Sequence, residues 1–182
     1  MKKIILTVFA ATSLLLYSTP SFAISLSVGV PIGASIKGDD GSEAADGASG
    51  YFLGVQLPFG LGLGMDSHKT KFKDDSTLKV ATSMYNLYYQ LPVPVVSLIL
   101  GLGTGNSNFD CPDAGGGKSC ADSYDKGAAT QWYTSVGFPI IPFFDIHLSY
   151  RSITSKNIKS KRGGSKTDVS GTITGIGLAF NF

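Results

Sequence analysis

The chain has 182 residues, of which 43% are hydrophobic and 15% charged, and its formal net charge at pH 7 is +2. This length predicts a single domain. Beyond the N-terminal region no run approaches the ~18 consecutive apolar residues of a membrane helix, which excludes a helical membrane protein. The near balance of charge gives no indication of a nucleic-acid partner.

The N-terminal segment has the layout of a secretory signal peptide. Two lysines come first, an uncharged apolar stretch covers residues 4–17, and small residues, Ser21 and Ala23, precede the predicted cleavage site. We therefore expect residues 1–23 to be removed and residues 24–182 to form the mature domain. The removal takes away two of the 15 Lys and Arg residues and leaves a mature chain without net charge.

The rest of the chain alternates apolar residues with small or polar ones, which is the period of β-strands. In the first strand every second residue from Ile24 to Ile36 is apolar, so these residues are expected to share the outer face. Glycines take the inner face of the third, fifth and eighth strands, which would leave large side chains on other strands room to fill the lumen. The eight predicted strands cover residues 24–37, 50–58, 61–70, 80–91, 96–105, 129–138, 143–153 and 168–182.

The predicted strands are joined by alternately short and long connections. The short ones contain proline, which lacks the N–H that a sheet interior requires. They cover residues 58–60, 92–95 and 139–142, and the long ones, which are polar or rich in glycine, cover 38–49, 70–79, 106–128 and 154–167. This alternation with an even strand number is typical of membrane barrels. We therefore predict an all-β fold, an eight-stranded antiparallel up-and-down transmembrane β-barrel.

The last strand ends on two aromatic residues, Phe180 and Phe182, which share a face with Ile176 and Leu178. This stretch resembles the C-terminal signature of bacterial outer-membrane β-barrels, the class of small barrels that includes OmpA, OmpX and OmpW. The resemblance implies a Gram-negative outer-membrane location, both mature termini in the periplasm, and lipid and lipopolysaccharide around the barrel. It also implies that the barrel-assembly machinery reads Phe180 and Phe182 as an assembly signal. The alternative is an edge strand of a soluble β-sandwich.

The predicted topology sorts the outward-facing aromatic residues into two levels. Such levels are typical of the aromatic girdles at the two membrane interfaces, and a soluble sandwich has no reason to form them. The level near the termini comprises Tyr89, Phe138, Phe144, Phe180 and Phe182, and the opposite level comprises Tyr51, Trp132 and Tyr150.

The two cysteines, Cys111 and Cys120, flank a glycine-rich run in the third long connection. In an oxidising compartment this pair predicts a disulfide, which would stabilise the fold by roughly 2.5–3 kcal/mol. A metal site is the alternative, but no histidine lies nearby in the sequence and we expect no metal. No cofactor is expected either, because the run Gly115–Ser119 lacks the earlier glycine of a phosphate-binding loop.

Ionisable residues on the predicted inner faces indicate a polar network in the lumen. The seventh strand directs Asp145, His147 and Arg151 inward, and the third strand directs Asp66 and His68 inward. Buried charges must be paired and hydrogen-bonded, so we expect these side chains to satisfy one another inside the barrel.

His147 and Ser149 also allow a different interpretation. A His-x-Ser pair resembles that of lipid A deacylases, which are eight-stranded outer-membrane enzymes, although Tyr150 here replaces the Asn that follows the Ser in that family. The alternation of the strand turns both side chains inward, away from a lipid substrate. We therefore predict no catalytic residue, and a lipid A hydrolase stays as an alternative.

The last long connection is basic. Its positive side chains are Lys156, Lys159, Lys161, Arg162 and Lys166. An external loop with this charge can bind the phosphates of lipopolysaccharide or an acidic host surface, and an ordinary solvated loop is the alternative. Together these patterns predict a non-enzymatic surface protein with a structural, adhesive or loop-mediated binding role and a largely packed polar lumen. A narrow porin-like channel and the lipid A hydrolase are the two alternatives.

Overall fold

The computed structural model describes residues 24–38, 41–73, 77–93, 95–111, 123–161, 164 and 166–182. Within them, antiparallel strands close into a barrel in the order of the chain, with the last strand paired to the first. The strands are β1 (Ser25–Gly38), β2 (Gly41–Gln56), β3 (Leu61–Phe72), β4 (Lys79–Leu91), β5 (Ser97–Asp110), β6 (Gly127–Ile141), β7 (Phe144–Lys159) and β8 (Lys166–Asn181). The eight predicted strands and their up-and-down topology are confirmed.

The two ends of the barrel differ. At one end, named here the terminal end, Phe182 N donates to Ile24 O at 2.9 Å and completes the seam between the last strand and the first. Tight turns join the strands at this end, and one of them is a 3₁₀ turn at Pro58–Gly60. The opposite end is named the loop end. The predicted signal peptide lies outside the described residues.

Across the part of the chain that the structure describes, we find no helix with the length and apolarity to cross a membrane.

The strands reach further toward the loop end than the alternation predicts. β2 begins at Gly41, β5 ends at Asp110 and β7 ends at Lys159, so much of three predicted long connections is paired strand. The prediction is wrong there because strands beyond the lipid need no apolar outer face, and apolar alternation is the signal on which it rests.

β1 does not keep one outer face along its whole length. Its register with β8 shifts between Pro31 and Gly33. Ile36, expected to face outward, is buried in the lumen with 4% of its surface exposed, and Ala34 packs inside against the apolar cluster around Phe52. The extra residue of a β-bulge reverses the alternation beyond it. The predicted unbroken outer face is therefore wrong for Ala34 and Ile36.

An apolar belt surrounds the barrel. Outward residues such as Leu63, Leu102 and Leu148 expose between 57% and 70% of their surface. An apolar surface of this extent is rare on soluble monomers and is what a barrel in a bilayer requires. Aromatic rings gather at its terminal end, where the ring centroid of Phe180 lies 4.6 Å from that of Phe144 and 4.3 Å from that of Phe182.

The lumen is packed, as the inward glycines predict. A Cβ on Gly62 would overlap the ring of Tyr88, and one on Gly101 would overlap the ring of Tyr133. The two tyrosine rings meet edge to face, with centroids 6.4 Å apart. These small residues therefore let the tyrosines of the neighbouring strands cross the barrel.

Candidate functional site

A buried ion pair lies at the centre of the lumen. Arg151 Nε on β7 is 3.0 Å from Asp66 Oδ2 on β3, and the same carboxylate oxygen accepts from Gln131 Nε2 at 2.6 Å. The Arg151 guanidinium also lies over the Phe52 ring at 3.7 Å and over the Tyr133 ring at 4.6 Å. The positive charge is thus held between a carboxylate and two aromatic faces, which is an arrangement that compensates for its burial.

A second polar cluster lies nearer the terminal end. Asp145 Oδ2 accepts from Ser97 Oγ at 3.1 Å and is 3.9 Å from His147 Nε2. On the other side of the imidazole, His147 Nδ1 is 3.3 Å from Ser135 Oγ. Four of the five ionisable residues predicted to form one network therefore divide between an Asp66–Arg151 centre and an Asp145–His147 centre.

His68 belongs to neither set of hydrogen bonds. Its ring is buried and meets the edge of Phe52, with centroids 6.2 Å apart, and Nδ1 has no hydrogen-bond partner among the described residues. Above it, toward the loop end, Ser107 Oγ joins the hydroxyls of Thr82, at 2.8 Å, and Ser155, at 2.7 Å. The alternation places all these residues inside, but only the strand register decides which of them are level with one another.

The loop end of the lumen is closed by apolar side chains that the sequence analysis does not identify. We name this cluster the apolar plug, and it comprises Ile36, Val80, Phe109, Ile158 and Val169. Ile158 is fully buried because the β7–β8 register shifts between Ser155 and Ile158, where Asn157 has a φ of 60°. The bulge turns Ile158 inward from a region that reads as a polar loop.

His147 and Ser149 do not form a hydrogen-bonded pair. Ser149 Oγ donates to Gly175 O at 3.3 Å, whereas His147 contacts Ser135. Both residues are buried and line a lumenal cavity of about 60 Å³. A volume of this order has room for a few water molecules and not for an acyl chain. The 3.9 Å between His147 Nε2 and Asp145 Oδ2 is longer than a hydrogen bond, so Ser135, His147 and Asp145 do not form a continuous hydrogen-bonded series.

Three of the five basic residues predicted in an external loop lie on strands. Lys156 and Lys159 belong to β7 and Lys166 to β8, all three are exposed, and Lys159 is the direct cross-strand partner of Lys166. Lys161 Nζ is 3.8 Å from Asp125 Oδ1. The loop assignment is corrected for the three strand residues, and Arg162 lies outside the described residues.

A second opposed lysine pair is present that the sequence analysis does not identify. Lys71 on β3 is the cross-strand partner of Lys79 on β4. Beside them, Lys69 Nζ is 2.7 Å from Asp110 Oδ2. Only the register reveals the pairing, because the two lysines belong to different strands.

Two further predictions concern a disulfide and a metal. Cys111 follows β5 and packs against the apolar plug, while Cys120 lies outside the described residues, so their bond stays a prediction. Among the residues that the structure describes, no group of three or more His, Cys, Asp or Glu side chains is placed to hold a metal ion.

Comparisons with solved structures identify the same architecture in small outer-membrane proteins. Neisserial surface protein A superimposes with a TM-score of 0.65 at 14% identity, over 88% of this chain and 96% of that one. Outer membrane protein AlkL gives a TM-score of 0.54 at 11% identity, over 88% and 90% of the two chains. Escherichia coli outer membrane protein W gives 0.54 at 11% identity, over 89% and 100%.

The likeness is one of fold, since the identities are low. No model of a known protein family matches the sequence, and no curated protein sequence matches it. The chain has the closed, eight-stranded antiparallel fold of the small outer-membrane β-barrels.

Proposed function

We propose that the chain is a bacterial outer-membrane surface protein that binds polyanions at its loop end and carries no enzymatic activity. The proposal includes export through a cleaved signal peptide and a periplasmic position for both mature termini. Support for the membrane location comes from the exposed apolar belt, the aromatic group at the terminal end and the fold shared with outer-membrane barrels. Barrels of this kind expose apolar residues to lipid and carry their longer connections on the outside.

The observation that carries the binding proposal is the direct opposition of Lys159 and Lys166. Like charges on directly opposed residues of an antiparallel pair destabilise the sheet. Lys156, also exposed, adds a third positive charge on the same strand as Lys159. An anion with several oxygens, such as a phosphate or sulfate group, would accept hydrogen bonds from more than one ammonium group and turn the repulsion into attraction.

The opposed pair Lys71 and Lys79 supports the same interpretation on another side of the barrel. There Asp110 already forms an ion pair with Lys69, so the protein itself compensates part of the positive charge. The β7–β8 lysines are therefore the stronger candidate site. Lipopolysaccharide phosphates and the acidic polymers of a host surface are two sources of the same chemistry.

The packed lumen favours a surface role over a channel. The apolar plug closes the loop end, and the cavities in the middle of the lumen and beside Asp145 have volumes of about 60 and 10 Å³. Ions would have to pass the packed apolar side chains of the plug, which is unfavourable.

The test compares two double variants of the folded barrel in lipid nanodiscs. Lys159→Gln/Lys166→Gln removes the opposed pair, and Lys37→Gln/Lys126→Gln removes the same charge from exposed loop-end positions. Lys37 lies opposite Ser42 and Ser170, and Lys126 precedes β6, so neither is opposed by a lysine across the sheet. Binding is measured to lipopolysaccharide, to dephosphorylated lipopolysaccharide and to a sulfated polysaccharide.

We expect the first double variant to weaken binding by about tenfold or more and the control to change it much less, since charge-assisted hydrogen bonds are lost only in the first. If the wild type binds lipopolysaccharide, loses this binding when the lipopolysaccharide is dephosphorylated, and does not bind the sulfated polymer, the membrane lipid is the source of the anion. Equal loss in both double variants would contradict a defined site.

A further inference from the structure

The tight turns at the terminal end have bulky apolar tips. Val95 is 84% exposed, Phe59 68% and Phe143 64%, and Ile140 and Ile141 at the end of β6 are also exposed. Turns that face water are built mainly from Gly, Asn, Asp, Ser and Pro. The apolar tips therefore indicate surroundings other than water.

The backbone of the same three turns is unusual for the side chains it carries. Phe59, Val95 and Phe143 have φ angles of 75°, 75° and 77°. A bulky or β-branched residue is an outlier in this region, which glycine and asparagine adopt readily. In the last turn the geometry is held by a hydrogen bond from Asn181 N to Phe143 O at 2.9 Å. The large side chains thus occupy positions where a small polar residue would be less strained.

Exposed charged side chains are absent around these tips in the described part of the chain. Within the described residues, the exposed lysine and aspartate side chains all lie toward the loop end, and Asp145, the charged residue near the terminal end, is buried in the lumen. The outer apolar belt continues through Leu57 and Phe138 to the turns with no exposed charge between them. The tips are therefore an extension of the surface that faces lipid.

We propose that the tight turns insert into the lipid leaflet next to the terminal end, so that this end is embedded in the membrane and does not project into water. The inference rests on the membrane location proposed above. The tips are continuous with the apolar belt and carry the same apolar and aromatic residue types. We therefore infer that lipid surrounds them. An apolar partner protein in the periplasm is the competing occupant.

Single-tryptophan variants measure the depth of the tips. Trp132 is the one tryptophan in the chain, so a Trp132→Phe background has no tryptophan fluorescence of its own. Phe143→Trp and Val95→Trp place a reporter on two turns, and Lys73→Trp places the control at an exposed loop-end position. Each variant is folded into phosphatidylcholine vesicles with or without brominated acyl chains, and a heat-modifiability gel checks its fold.

We expect brominated lipid to quench both turn reporters and acrylamide to quench them about fivefold less than the Lys73→Trp control. Acrylamide quenching equal to that of the control, in an inserted barrel, overturns the inference and leaves the membrane location standing. The inference is also overturned, in favour of a protein partner, if the turn reporters are shielded from acrylamide in native outer membranes but not in pure lipid vesicles. A folded barrel that does not associate with vesicles refutes the membrane location and the inference together.

Discussion

Asp66 on β3 and Arg151 on β7 join opposite parts of the barrel wall through the lumen, with 3.0 Å between Oδ2 and Nε although the residues are 85 positions apart. Their side chains are 1% and 7% exposed. Such a pair contributes little when intact, but removing one partner leaves an uncompensated charge in a low-dielectric interior.

The first prediction concerns this pair. Arg151→Met and Asp66→Asn should each lower the free energy of unfolding, the first by about 3–5 kcal/mol because it leaves the Asp66 carboxylate without its counter-charge. The double variant should lose clearly less than the sum of the two losses. Urea unfolding in lipid vesicles gives the three values, and strictly additive losses would show that the two groups do not interact.

The second prediction concerns ion conduction. The purified barrel in planar bilayers should show no large, stable conductance, because the apolar plug and the packed tyrosines obstruct the lumen within the described part of the chain. Current recordings at several voltages check this. Steady openings of the size seen with general porins would refute the packed lumen and restore the channel alternative.

The third prediction concerns the inward glycines. Gly101→Ala should destabilise the barrel by about 1–3 kcal/mol, because its new Cβ would overlap the ring of Tyr133 and a packed core resists added volume. In a Tyr133→Ser background the ring is absent, so Gly101→Ala should lower the free energy of unfolding by less there than it does in the wild type. The free energy of unfolding measures both effects, and a Gly101→Ala barrel as stable as the wild type would count against close packing here.

Alternation along the chain predicts the eight strands and most of the faces, because a half-buried strand in lipid needs an apolar residue at every second position. It identifies Asp66, His68, Asp145, His147 and Arg151 as lumenal residues, and it explains why glycines oppose tyrosines.

What alternation cannot provide is the level of each residue along the barrel axis. The bulges near Gly33 and Asn157 depend on pairing between strands, and they turn Ala34, Ile36 and Ile158 inward. The division of the polar residues into two centres and the opposition of Lys159 and Lys166 likewise follow from register, which no single strand encodes.

The fourth prediction concerns chemistry. Ser149→Ala should leave the lipid A acylation pattern of the cell unchanged, because Ser149 faces the lumen and hydrogen-bonds to Gly175 O. Mass spectrometry of extracted lipid A provides the comparison, with Ser135→Ala as a second variant at the hydroxyl that contacts His147. Removal of an acyl chain by the wild type and not by Ser149→Ala would establish the hydrolase that we do not expect.

The fifth prediction tests the central claim, that the chain assembles as a closed barrel in the outer membrane through its last strand. Phe182 N completes the seam with Ile24 O, and the Phe182 ring packs on Phe180 in the aromatic group at the terminal end. Backbone groups left unpaired in hydrocarbon cost several kcal/mol each, so an unclosed barrel does not persist in a membrane. Deleting Phe182 should therefore reduce assembly, while deleting Gly116, in the connection between β5 and β6, should be tolerated.

The decisive measurement is a heat-modifiability gel on outer-membrane fractions of cells that express the wild type and each deletion. We expect the wild type and the Gly116 deletion to give a folded band that shifts on boiling, and the Phe182 deletion to lose most of that band to degraded or periplasmic protein. A Phe182 deletion that assembles as well as the wild type, beside a Gly116 deletion that fails, would contradict the account.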